Sequence, residues 1–147
     1  MPRRPRLPGP DLRGARTAAH ALAMAPFLFQ AARSARASGL LAALAEAGPA
    51  GLDADAAGAA AALPATSVTT LLEALLAGGL VAEPGPGRWC LTTTGLAWSH
   101  DPQVAVDADF THAVCWHGLA DLDESLRTAR PAGLRRFGPW PTIYAGL

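Results

Sequence analysis

The sequence predicts a mainly α fold, a winged helix-turn-helix with a short two-stranded wing and an additional long C-terminal helix. Three observations lead there. Leu- and Ala-rich segments recur at helical spacing with stop signals between them, a Pro/Gly turn sits between two brief extended runs, and a second amphipathic stretch follows. At 147 residues, one domain with extensions is the default.

Met1 to Gly14 is rich in proline and glycine and carries Arg3, Arg4, Arg6 and Arg13, with Arg16 just beyond. It reads as a flexible, solvated arm, and the body of the domain is expected over 15–147. From Ala15 to Ala35 an Ala-rich helix is expected, with Leu22, Met24, Phe27 and Leu28 as its large apolar residues and Pro26 as a kink. Apolar groups on more than one face suggest burial against a second subunit, so these four residues are the candidate dimer interface.

Ser38 is the expected N-cap of a second helix to Ala47, with Leu40, Leu41 and Leu44 on one side and Gly48-Pro49 as its stop. Asp53 to Leu63 and Thr66 to Ala77 follow, the third helix capped by Asp53 and the fourth by Thr66 or Ser67. Val68, Leu71, Leu72, Leu75 and Leu76 make the seam of the fourth, and Gly78-Gly79 ends it. Leu80 to Glu83 and Arg88 to Leu91 then flank Pro84-Gly85-Pro86-Gly87 as a wing, and Thr92 to Thr94 cap a short helix through Trp98. A long amphipathic helix is expected from about Asp107 to Arg130, ended by Pro131. Its seam is Cys115, Leu119, Leu122 and Leu126, and Asp121, Glu124, Arg127 and Arg130 form its polar side. The tail carries Phe137, Trp140, Ile143 and Tyr144, aromatic and apolar residues that dock on a core. Trp89, Trp98 and Trp140 are assigned to packing.

Charge is balanced, 12 basic against 12 acidic residues, so no overall field attracts polyanions. Every basic residue is Arg, a bias that suggests a GC-rich, bacterial coding sequence. Cys90 and Cys115 form no CxxC, which fits reduced thiols and a cytoplasmic setting. The run from Ala18 to Phe29 imitates a secretory signal but is interrupted by His20 and Met24, and it is too short to span a bilayer. No membrane association is expected.

The segments TTLLEALLAGGLV, LTTTGLAW, DFTHAVCWHGLADLDESLRTARPAG and FGPWPTIYAGL resemble the N-terminal winged-helix dimerisation domain of S-adenosylmethionine-dependent small-molecule O-methyltransferases, over about Ala19 to Leu147. The resemblance implies a homodimer with interleaved helices that roofs the substrate pocket of a Rossmann-like catalytic domain. In that family the catalytic domain holds S-adenosylmethionine, and its glycine-rich loop, acidic ribose ligand and His base have no counterpart in this sequence. The resemblance therefore extends to fold and dimerisation, and leaves enzyme activity of this chain open. No catalytic, cofactor-binding or metal-binding residue is assigned and no cofactor is expected on this chain alone. The polypeptide is expected to be a truncated product, a remnant, or half of a split enzyme whose catalytic domain is a separate chain.

Gly85-Pro86-Gly87 precedes a strand, whereas a cofactor loop leads into a helix, so it is the wing turn. A winged-helix DNA-binding regulator is the alternative function. The helix at 66–77, where base contacts would lie, offers Thr66, Ser67, Thr69, Thr70 and Glu73 and no cation, and Arg88 is the one cation of the wing, so nucleic acid is disfavoured. His112 and His117 are spaced to diverge, and with Asp109 and Cys115 make a poor metal set. No GxSxG or HExxH supports a hydrolase. Asp109, His112 and Trp116 share one side of the expected long helix, and with Phe110 they are the candidate substrate-lining residues.

Overall fold

The computed structural model describes residues 11–145, so the arginines at positions 3, 4 and 6 and the terminal Gly146-Leu147 lie outside the described residues. The chain divides into two compact units, one up to Gly95 and one from Leu96 onward.

In the first unit α1 (Leu12–Ala37) begins three residues ahead of the expected start, because the Asp11 carboxylate accepts the Gly14 N–H at 3.1 Å and supplies a cap. Pro26 lies within this helix without ending it. Proline has no N–H to give the Leu22 carbonyl, and Leu22 is exposed, so water can take that acceptor. Ser38 closes α1 instead of opening α2: its N–H bonds to Ser34 and its hydroxyl donates to Ala35. Gly39, at φ 81°, turns the chain into α2 (Leu40–Ala47).

Asp53 caps α3 (Ala54–Ala61) as expected, accepting the Ala56 N–H at 2.8 Å. The fourth helix, α4 (Ala65–Ala77), opens on the Pro64 carbonyl, which accepts from Ser67 and Val68, and not on a Thr66 or Ser67 side chain. Pro64 cannot continue a helix backwards, and Ala65 has the propensity to begin one. Leu40, Leu41 and Leu44 of α2, Val68, Leu72 and Leu75 of α4, Ala57 and Ala61 of α3 and Ala32 and Ala35 of α1 form the core, closed by Leu80 and Val81. Leu71 of the expected seam is half-buried and Leu76 is exposed, since only the i, i+4, i+7 stripe of α4 faces inward.

The wing pairs β1 (Val81–Gly85) with β2 (Arg88–Leu91) antiparallel, Val81 opposite Leu91 and Ala82 opposite Cys90. The register slips by one residue before Gly85 meets Arg88, and Pro84, with no N–H to donate, falls within the slip. Leu52 adds a bridge that the sequence did not announce, exchanging both backbone hydrogen bonds with Trp89 at 2.9 and 2.8 Å on the other side of β2. Thr92 then accepts the Gly95 N–H to cap α5 (Thr93–His100), which runs two residues past Trp98.

The second unit corrects the long helix. Over the expected span from Asp107 to Arg130 the chain is instead α6 (Pro102–Phe110), a π-helical turn (Thr111–Cys115), a 3-10 turn (Gly118–Asp121) and α7 (Leu122–Thr128). The first piece starts earlier because Asp101 caps it, accepting from Gln103 and Val104, with Pro102 in the first turn. The break has a visible cause in Gly118 and Gly133, whose backbones meet: a Cβ on Gly133 would fall 2.8 Å from the Gly118 Cα. The chain reaches that contact by doubling back through Ala129, at φ 53°, just ahead of Pro131. A mainly α-helical fold with a small two-stranded antiparallel hairpin is the result, without a single long C-terminal helix.

Candidate functional site: an exposed apolar helix and an apolar groove

Two features of the described residues stand apart from ordinary packing. The first is α1. At 1.5 Å per residue it is about 39 Å long, yet its buried residues, Ala32 and Ala35, lie near its C-terminal end. Every residue from Asp11 to Phe27 is exposed. Leu22 and Phe27 are 77% and 68% exposed and Met24 is on the surface with them, while Leu28, the fourth interface candidate, is half-buried where the helix joins the core. Over several turns of this helix large apolar groups are left uncovered by the described residues.

The second feature is an apolar groove of about 320 Å³ within the second unit. Phe110, Val114, Leu119 and Leu122 line one part and Leu134, Phe137 and Ile143 the other. The π turn sets the first wall. Its Trp116 N–H reaches the Thr111 carbonyl at 2.8 Å, an i to i+5 bond, so Phe110 and Cys115 line up along the groove. The same turn displaces the α-helical register on which Asp109, His112 and Trp116 were grouped. Of the four substrate-lining candidates only Phe110 reaches the groove wall; Asp109 is exposed, and His112 and Trp116 are half-buried outside it. The seam residue Leu126 points to solvent, 74% exposed. Nothing in the 111–115 sequence marks a π turn; of the tail residues expected to dock, Phe137 and Ile143 line the groove with Leu134, which the sequence reading missed, while Trp140 and Tyr144 are exposed.

Charge is concentrated beside this groove. Asp121, with a side chain only 11% exposed, accepts Arg136 Nε at 2.6 Å and Arg136 Nη2 at 3.1 Å, and also Arg135 at 3.0 Å. Arg135 also donates to Glu124. The hydrogen-bonded Arg136, with Arg135 beside it, holds the Asp121 carboxyl below its ordinary range, and Arg135 does the same for Glu124.

The surface at which a DNA reader would act is of another kind. The exposed face of α4 presents Thr66, Ser67, Thr69, Thr70 and Glu73, with the Thr69 and Thr70 hydroxyls turned back on the Ala65 and Thr66 carbonyls. Arg88 of the wing is committed to the turn before α3, donating to the Ala50 and Gly51 carbonyls and facing Asp53 at 3.8 Å. Among the described residues no group of three or more His, Cys, Asp or Glu side chains could hold a metal ion, and no single helix is long and apolar enough to cross a membrane.

No protein-family model matches the chain, and no curated protein matches it significantly. Solved structures do. It is similar to the S-adenosylmethionine-dependent methyltransferase SibL in its apo form, with 30% identity and a TM-score of 0.71 over 85% of this chain and 36% of that one. It is also similar to the O-methyltransferase NcsB1 from neocarzinostatin biosynthesis in complex with S-adenosyl-L-homocysteine, with 28% identity and a TM-score of 0.50 over 74% of this chain and 36% of that one. The fold thus resembles a small, mainly helical domain of S-adenosylmethionine-dependent O-methyltransferases, and it matches only part of those larger chains.

Proposed function

We propose that the chain serves as the dimerisation and substrate-lid domain of an S-adenosylmethionine-dependent O-methyltransferase and is not catalytic by itself. The observation that carries this reading is α1, whose Leu22, Met24 and Phe27 lie uncovered on a helix that the core anchors only at its C-terminal end. A second copy is the partner that would cover them, and similarity to methyltransferases over 36% of their length supplies the setting. The lid role rests on the groove at Phe110, open to an apolar group presented from outside.

The residues described do not fit the cofactor. In Rossmann-like domains a nucleoside-bearing cofactor sits against a glycine-rich loop leading from a strand into a helix. The wing turn instead joins two antiparallel strands, and the Glu83 carboxylate already takes the Gly87 N–H at 2.6 Å. Cofactor binding and methyl transfer therefore belong to a catalytic domain, on the same polypeptide or on another. Calorimetric titration of S-adenosylmethionine tests the assignment. The described domain alone should give no heat of binding, and binding with methyl transfer should appear once the catalytic domain encoded with or beside it is present. Binding to this domain alone would contradict the division of labour.

A further inference from the structure

We infer that residues 131–143 form a strap latched by charge, with Asp121 as the residue that holds it, and that the apolar groove exists only while the latch is closed. The strap has no α-helix or strand of its own; a short 3-10 turn lies within it at Ala132–Arg136 and a second, Ile143–Ala145, begins at its last residue. It supplies Leu134, Phe137 and Ile143 to the groove, and the opposite wall is Phe110, Val114, Leu119 and Leu122.

Polar ties fix it in register. Arg135 and Arg136 both end on the Asp121 carboxylate, and Arg135 reaches Glu124 as well. The Ser125 hydroxyl accepts the Ala132 N–H at 3.0 Å, and the Gly118–Gly133 contact seats the turn. Apolar burial is shallow on the facing wall, where Leu119 and Leu122 are about half exposed, while Leu134, Phe137 and Ile143 of the strap are half-buried against it. The left-handed Ala129 precedes the latch, and Gly138, packed against the Trp140 ring, follows it. When the ion pairs open, the strap wall leaves and Phe110, Leu119 and Leu122 become continuous exposed surface.

Amide hydrogen exchange across 131–137, with the amides of α4 as the internal reference, tests the latch. In the wild-type chain, raising NaCl from low salt to about 1 M, where the screening length falls to about 3 Å, should speed exchange in the strap roughly three- to fivefold and leave α4 unchanged. In Asp121→Asn the strap should already exchange at the fast rate and ignore salt, and Arg136→Gln should behave likewise. A salt-independent wild-type strap, or a slow strap in Asp121→Asn, would overturn the latch. So would an acceleration shared by α4, because Asp121 would then hold the fold as a whole.

Discussion

At Gly51 the backbone takes φ 63°, and a Cβ there would meet the Trp89 carbonyl carbon at 2.7 Å, because Leu52 and Trp89 bridge the turn to the wing. Both the left-handed angle and the close approach demand glycine. Gly51→Ala should lower stability by on the order of 2 kcal/mol, read as a lower urea midpoint by circular dichroism; an unchanged midpoint would mean that the turn relaxes at no cost. Asp121 and Glu124 give a pH dependence of definite sign. Arg136 and Arg135 lower the folded-state pKa of both, so their contribution is complete above the ordinary carboxylate range near pH 4 and is lost as pH falls through the lowered values. Acid should therefore loosen the strap and leave it unaffected between pH 6 and about pH 8, with Trp140 fluorescence in a variant lacking the other tryptophans as the readout. Single residues were legible where the chemistry is local. Asp53 followed by a helical run announces a cap, and it is one. Gly51 and Asp121 depend on Trp89, Arg135 and Arg136, which no local pattern ties to them.

Among the elements, α4 separates periodicity from burial. Five apolar residues lie at helical spacing, yet only Val68, Leu72 and Leu75 are buried. Leu72→Ala should cost about 2–5 kcal/mol, whereas Leu76→Ala, at an exposed position, should stay within about 0.5 kcal/mol; equal urea midpoints for the two variants would contradict the placement of the stripe. The helices of the first unit were readable because Gly48-Pro49, Pro64 and Gly78-Gly79 stop them in the sequence itself. The segment expected as one long helix fails for the complementary reason. Its apolar residues do recur at i, i+4, i+7 and i+11, but the contact between Gly118 and Gly133 and the bond from Trp116 to Thr111 break it, and both are tertiary or register effects that periodicity does not see. The Asp101-Pro102 pair was the local sign of an earlier start. The Leu52–Trp89 bridge lacked a comparable sign, being one residue pair with no strand around it.

The whole molecule has a core that accounts for its first unit, and an α1 that extends beyond that core with apolar side chains uncovered. This contrast was half visible in the sequence: apolar residues on several faces of α1 suggested a partner, but only the fold shows that the described residues leave Asp11 to Phe27 uncovered. The face of α4, with no cation, and an Arg88 committed to backbone carbonyls give duplex DNA little to hold. Fluorescence anisotropy at physiological salt should return a Kd no tighter than about 1 µM with no sequence preference; tight, sequence-dependent binding would favour a regulator instead. Multi-angle light scattering on the purified chain and on Phe27→Asp tests the central claim most directly. The account predicts a dimer of the 15.1 kDa chain that Phe27→Asp converts to a monomer with unchanged helix content, and a wild-type chain that elutes as a monomer across the concentration range would contradict it.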